Sequence, residues 1–413
     1  MLRHACALAA AAAAAASGGV GLDVPVGHRT EPPVPTVAVY KSYQPGQPEC
    51  YRQPILVSAG APGTLLAFAE GRNINNYSFC AGTEYPDVAD FPIVVRRSTD
   101  FGATWSASST TIMQGNLDFL TAAYDASTST VHLMAQLGDD GVVYSASRDA
   151  GATWSAPVNV SVPPGSYASI IPGVGRGLVI DPSRCLDPTC AGTAGRILMP
   201  WACTVNGPVS NDTACGNCRS CLLLSDDQGA SWRLGAVSNN SGSRESALVQ
   251  LDSAAWYAMG AVVYANERNL GAAPGVRLED VSTDGGASFA PSRAGVARGL
   301  PDVDTGNWTG VVAGLTRVRG SGGGGGDDFL LFTAPAAQAT RANLTAFVSS
   351  GVAPGFTWAP SPLGTIYADA AAYSDALQIN STHVGLLFEC GSGGDFAAQI
   401  AFAAVSISQL RVD

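Results

Sequence analysis

Short apolar runs that alternate with polar positions recur along the chain, and each ends in a cluster of turn-forming residues. Phe91 to Val95 leads into Ser98-Thr-Asp100-Phe-Gly102-Ala-Thr104-Trp105, and Gly141 to Ala146 leads into Ser147-Arg-Asp149-Ala-Gly151-Ala-Thr153-Trp154. A period of two that stops at such a cluster predicts a half-buried strand entering a turn. The turn signal is itself a repeat, Ser-x-Asp-x-Gly-x-(Thr/Ser)-(Trp/Phe). Two further copies are Ser225-Asp-Asp227-Gln-Gly229-Ala-Ser231-Trp232 and Ser282-Thr-Asp284-Gly-Gly286-Ala-Ser288-Phe289. A remnant without its Asp is Gly355-Phe-Thr357-Trp358. In each octet, Ser and Asp side chains are suited to bond the turn backbone, Gly supplies a positive φ, and the aromatic ring packs beneath. From Ser98 through Ser147 and Ser225 to Ser282 the copies recur at intervals of 49, 78 and 57 residues. That spacing suits one four-stranded blade per box, with insertions, and predicts an all-β propeller instead of a tight solenoid.

Composition narrows the class. With 413 residues, 46% hydrophobic and 13% charged, the chain can bury a large core. Gly 48 and Pro 25 without a G-X-Y period exclude a helical bundle and collagen. A net charge of −11 gives no basic face for nucleic acid or an anionic membrane, so any bound anion must be held by a local arginine cluster. Lys41 is the only lysine, which GC-rich codon usage explains.

Met1 to Ser17 has a short basic start followed by an Ala-rich run, the shape of a secretory signal peptide, with a transit peptide or a plain Ala tract as alternatives. Residues 18–34 form a Pro/Gly-rich lead, and no later stretch of about 18 apolar residues predicts a membrane span. Of 15 asparagines, seven begin an N-x-S/T sequon: Asn76, Asn159, Asn211, Asn239, Asn307, Asn343 and Asn380. Chance would give roughly two, so the excess fits a glycosylated, secreted or lumenal protein. After Cys6, nine cysteines remain, an odd number. Cys203, Cys215, Cys218 and Cys221 have spacing open to zinc, but an oxidising compartment favours disulfides. His28, His132 and His383 lie too far apart to suggest a metal site, and the glycines after Ser321 lack the Lys-(Ser/Thr) ending of a phosphate loop.

The octet is the Asp box, or BNR repeat, and the chain from about Tyr51 to Cys390 resembles the sialidase superfamily of six-bladed propellers. Lectins, sortilin-like receptors and other glycosidases also carry Asp boxes, so the residues between them decide the function. The resemblance implies one domain over residues 35–413 that acts on sialylated glycans. Sialic acid bears a carboxylate on its anomeric carbon, a group best held by arginine forks. Tyr51-Arg52-Gln53-Pro54, followed by Glu70-Gly-Arg72, resembles the family's opening, in which the first arginine of a carboxylate clamp precedes an Ile that is Gln53 here. By the same resemblance Arg277, before the fourth box, and Arg341 are the second and third clamp arginines, and Arg72 is a further substrate-binding residue.

Ala371-Ala-Tyr373-Ser-Asp375 and Gly385-Leu-Leu-Phe-Glu389-Cys390 resemble the closing motifs, which makes Tyr373 the nucleophile and Glu389 the brace of the first arginine. Ser243-Arg-Glu245-Ser resembles the motif of the glutamate that activates the tyrosine. A neutral phenol avoids the repulsion that a carboxylate nucleophile would meet at a carbon already bearing a carboxylate. For the general acid, Glu84, Asp87 and Asp90 share one loop; counting back from Ser98 favours Asp87, with Asp90 second. No cofactor is implied. The expected activity is that of a retaining exo-α-sialidase. The alternatives are a propeller that binds glycans without cleaving them, kept open by Gln53 and the long acid loop, and a transglycosylating sialidase. With the chain ending soon after the last expected blade, the extra lectin domain common among transglycosylating relatives is expected to be missing, which lowers that alternative without excluding it.

Overall fold

The structure, a computed structural model, describes residues 34–410 apart from 47, 73–79, 81–90, 139–140, 163–168, 186–187, 206–216, 253–259, 272–274, 292–293, 305–308, 321–326 and 338. Strand β1 (Thr36–Lys41) is followed by β2 (Cys50–Ser58), β3 (Leu65–Arg72), β4 (Ile93–Ser98) and β5 (Thr110–Met113), the last four forming one antiparallel sheet. A second sheet contains β6 (Leu117–Asp125), β7 (Thr130–Leu137), β8 (Gly141–Ser147) and β9 (Val158–Val160). Three short strands come next: β10 (Ser169–Pro172), β11 (Gly175–Arg176) and β12 (Leu178–Val179). Strand β11 joins the second sheet parallel to β6, whereas β10 and β12 join the third, with β13 (Ile197–Thr204), β14 (Cys218–Ser225) and β15 (Arg233–Val237).

The fourth sheet has the order β16 (Ser243–Gln250), β17 (Val263–Asn269), β18 (Val276–Ser282) and β19 (Gly295–Pro301). The last contains β20 (Gly314–Val318), β21 (Phe329–Pro335), β22 (Ala342–Val348), β23 (Gly364–Gln378), β24 (His383–Cys390) and β25 (Gln399–Ser406), and β1 pairs with β25 as its seventh strand. The fold is all-β and propeller-like, but its described strands form five sheets where six blades are expected. The difference lies in β23: over its 15 residues the first half pairs with β22 and the second with β24.

The core runs as a ring between sheets. Ile55, Phe68 and Val95 of the first sheet meet Leu120 and Leu133 of the second; Met134 meets Met199 and Leu223; Leu222 and Leu224 meet Leu248 and Val263; and Val249 and Tyr264 meet Leu315 and Phe332. The circle closes where Leu387 and Phe402 pack on Leu56 and Leu65. Burial of about 25 cal/mol per Å² of apolar surface at each junction holds the sheets face to face.

All four Asp boxes form the expected staple. In the first, Ser98 Oγ donates to Asp100 Oδ1 (2.8 Å) and accepts from Gly102 N (2.9 Å), while Thr104 N and Oγ1 donate to Asp100 at 2.9 and 2.5 Å. These donors hold Asp100 and its counterparts below the usual carboxylate range, Asp149 at about 2. The residue before each Gly is left-handed too, including Phe101 (φ 60°), Ala150 (φ 57°) and Gln228 (φ 60°), which the octet pattern assigns to Gly alone. Gly is also required for contact: a Cβ on Gly102 would lie 2.2 Å from the Phe402 ring.

His132, buried behind the third box, accepts or donates a 2.8 Å bond at Nδ1 with Tyr144 Oη. Burial lowers its pKa to about 4, so the unfolded chain takes up the proton first as pH falls. Its contribution is complete above about pH 6.5 and is lost as pH falls toward 4, a loss on the order of 3 kcal/mol. Glu267, pushed up to about 8 by burial and then by Asp280, has the opposite sign, so the check must be differential. Denaturant melts of wild type and His132→Gln at pH 7.5 and 4.5 are expected to show wild type losing its advantage at the lower pH. A constant difference would rule this assignment out.

Candidate active site

Five local breaks in strand register bring the candidate residues together. The shifts lie between Arg52 and Ile55 on β2, Asp118 and Leu120 on β6, Ser243 and Ser246 on β16, Ala342 and Leu344 on β22, and Ala371 and Ser374 on β23. A bulge leaves an extra residue unpaired and re-aims its side chain. Three of these shifts include a left-handed residue other than Gly: Gln53 (φ 59°), Phe119 (φ 47°) and Asn343 (φ 63°).

At the centre, Tyr373 Oη donates toward Glu245, 3.1 Å from Oε1 and 3.2 Å from Oε2. Arg268 completes the group: its Nη1 donates to Glu245 Oε2 at 2.7 Å and to Tyr373 Oη at 3.0 Å, and its Nε donates to Thr309 O at 2.8 Å. All three side chains are buried. Arg52 lies beside the ring, its guanidinium carbon 5.5 Å from the Tyr373 centroid, and Arg341 lies at 5.7 Å. Both also flank Phe396, at 5.0 and 5.3 Å. Glu389 ties the elements together, accepting Arg52 Nε at 2.7 Å and Gln53 N at 2.8 Å on Oε1 and Tyr373 N at 3.1 Å on Oε2.

The charges do not cancel. Glu389 pairs with Arg52 and Glu245 with Arg268, but Arg341 has no carboxylate partner among the described residues. Burial, and then the neighbouring Arg268 and Arg52, hold Arg341 below the usual arginine value against the opposing pull of Tyr373. One uncompensated positive charge beside a phenol suits a monoanionic ligand.

The second clamp assignment is corrected by this geometry. Arg277 is fully buried and does not join the group: Nε donates to Asn266 Oδ1 (2.8 Å), and Nη1 donates to Asp302 (3.1 Å) and to Val311 O (2.7 Å). The strand order β16, β17, β18 sets Arg277 two strands from Glu245, roughly 10 Å. Its place beside Glu245 is taken by Arg268 on β17. Arg277 instead belongs to a buried structural pair, and Asp302 Oδ2 also accepts Asn269 N at 3.2 Å.

Arg72 forms a neighbouring group. Its Nε and Nη2 donate to Glu70 Oε2 at 3.0 and 2.8 Å, and it stacks 5.1 Å from Phe91. Glu70 Oε1 accepts Phe119 N at 2.6 Å. Burial, and then Glu70, push the Asp118 carboxyl well above its ordinary range against the opposing pull of Arg72. Phe119 packs in one cluster with Tyr373, which links the groups. Sequence reasoning missed Arg268, Asp118, Phe119 and Phe396. None of them carried a usable sequence signal; Arg268 is set beside Glu245 by the β16–β17 register.

Glu84, Asp87 and Asp90 lie outside the described residues. Cys80 ties their loop to the site, bridged to Cys50 and with its carbonyl accepting Arg52 Nη1 at 2.5 Å. Replacing both cysteines by Ala is expected to raise KM for an anionic substrate about tenfold and change kcat less, since the backbone carbonyl of residue 80, no longer fixed by the bridge, is freed to leave the buried guanidinium. Equal kinetics for the Cys50/Cys80 and Cys203/Cys221 double variants would contradict that link. Cys185–Cys190 and Cys203–Cys221 are the other described bridges, which takes Cys203 and Cys221 out of any zinc set. Among the described residues no group of three His, Cys, Asp or Glu side chains could hold a metal, and no helix is long and apolar enough to cross a membrane.

Residues 124–386 match the family of BNR repeat-like domains. A sialidase of Clostridium perfringens is 26% identical over 219 residues, 46% of this chain and 50% of that protein, so the match spans half its length. A Hadza microbial sialidase superposes with a TM-score of 0.67 at 20% identity, covering 90% of this chain and 68% of the other. The intramolecular trans-sialidase of Ruminococcus gnavus, solved with oseltamivir carboxylate, gives 0.66 at 14% identity, covering 91% and 98%. With well over half its length matched by the family model, the chain belongs to the BNR repeat-like domain family, and it shares its fold with these sialidases.

Proposed function

We propose that the protein is an exo-α-sialidase that removes terminal sialic acid from glycoconjugates with retention. The observation that carries this reading is Tyr373 Oη lying 3.1 Å from Glu245 and 3.0 Å from Arg268, with Arg52 and the uncompensated Arg341 beside its ring. In the first step Glu245 takes the phenolic proton as Tyr373 Oη bonds to the anomeric carbon. The glycosidic bond breaks, and the leaving oxygen takes a proton from the loop acid, which we assign to Asp87 with Asp90 as the alternative. In the second, water attacks that carbon with its proton going to the same carboxylate, the phenolate departs and is reprotonated by Glu245, and two inversions give retention. Arg52, Arg268 and Arg341 hold the substrate carboxylate, with Arg72 at the edge of the pocket and Glu389 as the brace.

We also read the seven-stranded sheet as two blades sharing β23, which gives one six-bladed domain over residues 35–413. Its Val318 and Leu331 pack on Val384 and Ala403 as neighbouring blades do elsewhere in the ring. Export through the secretory route fits the disulfides and the exposed sequons Asn159 and Asn239. The test is incubation with a fluorogenic α-sialoside, with products followed by proton NMR. Release of aglycone with the α-anomer of free sialic acid appearing first supports the reading. Retained glycan without release points to a binding module, and an anhydro or transferred product to transglycosylation.

A further inference from the structure

Further along the same inner strands the ring opens into a second cavity, of about 860 Å³. Glu245 and Leu248 lie on β16, and Tyr373 and Leu377 on β23, so each strand serves the candidate site first and this cavity three or four residues further on. At about 3.3 Å per residue the two are separated by roughly 10 Å or more. Leu178, Leu248, Leu377 and Ile379 give the cavity apolar walls.

Most polar groups on these walls are already engaged. Arg317 lies between Asp252 (2.5 Å) and Asp328 (2.6 Å), and Arg176 Nη2 donates to Ala376 O at 2.7 Å and Leu315 O at 3.1 Å. Gln250 exchanges two bonds with the Asp181 backbone, and Gln378 bonds Arg319 N and Asn380 O. Two guanidinium groups are left. Arg184 is only 18% exposed, yet its one hydrogen bond among the described residues is from Nε to Asp181 Oδ2 at 3.3 Å. Arg319, 62% exposed, comes no nearer than 3.7 Å to that same oxygen. Asp181 also accepts from Ser183 N and Oγ. Asp181 Oδ2 is therefore the one acceptor near both Arg184 and Arg319, whose other guanidinium N–H groups have no hydrogen-bond partner among the described residues, although the charges of Arg184, Arg317 and Arg319 are matched in number by Asp181, Asp252 and Asp328. Burial, and then Arg317 and Arg319, hold Arg184 below the usual arginine value, as expected for a guanidinium short of acceptors.

We propose that this cavity binds an amphiphilic monocarboxylate, its carboxylate held by Arg184 and Arg319 and its hydrocarbon body lying on Leu178, Leu248, Leu377 and Ile379. The unengaged N–H groups of the two guanidinium forks match the two oxygens of a carboxylate. A hydroxyl-rich sugar does not fit, because the remaining polar groups bond one another and would leave its hydroxyls unpaired. The site is independent of the sialidase reading.

The test is isothermal titration calorimetry of the full chain with octanoate at pH 7 and low salt. Saturable binding with Kd below about 1 mM is expected, with acetate and octan-1-ol at least about tenfold weaker. Arg184→Gln/Arg319→Gln should weaken octanoate about tenfold or more, and Arg319→Gln alone, at an exposed position, by a smaller factor without disturbing the fold. Arg341→Gln controls for binding at the other arginine cluster and should leave octanoate affinity unchanged. Absence of saturable octanoate binding up to about 10 mM, undiminished binding by the double variant, or loss of binding in Arg341→Gln would each overturn the proposal.

Discussion

Replacing Arg268 by Gln is expected to lower kcat/KM toward a sialoside by about a thousandfold. Replacing Arg277 by Gln should lower the melting temperature at least as much as Arg268→Gln does, since both leave a buried carboxylate short of a partner, but should leave kcat/KM nearly unchanged. Arg268 Nη1 touches both Tyr373 Oη and Glu245, so its loss removes a charge-assisted donor from the phenol and from its base, while Tyr373 still donates to Glu245. Arg277 is fully buried against Asp302, and losing one partner of such a pair costs about 3–5 kcal/mol, a drop on the order of 10 °C. Thermal melts and steady-state kinetics on both variants separate the roles. A stable, inactive Arg277 variant beside an active Arg268 variant would restore the assignment that the sequence suggested.

Tyr373→Phe is expected to lower turnover by about 10³-fold or more with little change in binding of a sialic acid analogue. The substitution removes one oxygen and leaves the ring that Arg52 and Arg341 flank, so the clamp persists and the bond-forming atom does not. Glu245→Gln keeps a hydrogen-bond partner for the phenol but cannot take its proton, and should lose about 10²- to 10⁴-fold in kcat. Calorimetric titration beside the kinetics checks both; normal turnover by Tyr373→Phe would remove the tyrosine from the chemistry.

The Asp boxes show what was legible in the sequence. Their hydrogen bonds are local, within an octet, so Ser98, Asp100 and Thr104 announce their own geometry. Tyr373, Glu245, Arg52, Arg341 and Glu389 were readable because each sits in a motif whose neighbours are in register with it. Arg277 failed because distance along the chain from the fourth box does not report distance across the sheet. The residue actually beside Glu245 was fixed by the β16–β17 register, which the long 251–262 connection hides. Asp118 and Phe119 were invisible for a related reason: a bulge and a left-handed backbone aim them, and neither leaves a mark in hydrophobic periodicity. The sheet count differed from six because one strand, β23, serves two partners in turn.

The proposed covalent step is tested most directly by trapping it. Brief incubation with a 2,3-difluorosialic acid reagent, whose fluorine slows departure from the enzyme, is followed by acid quench, digestion and mass spectrometry. The expected result is one sialyl adduct, on the peptide containing Tyr373, absent in Tyr373→Phe. An adduct on another residue, or none under conditions where the reagent inactivates the enzyme, would contradict a Tyr373 nucleophile.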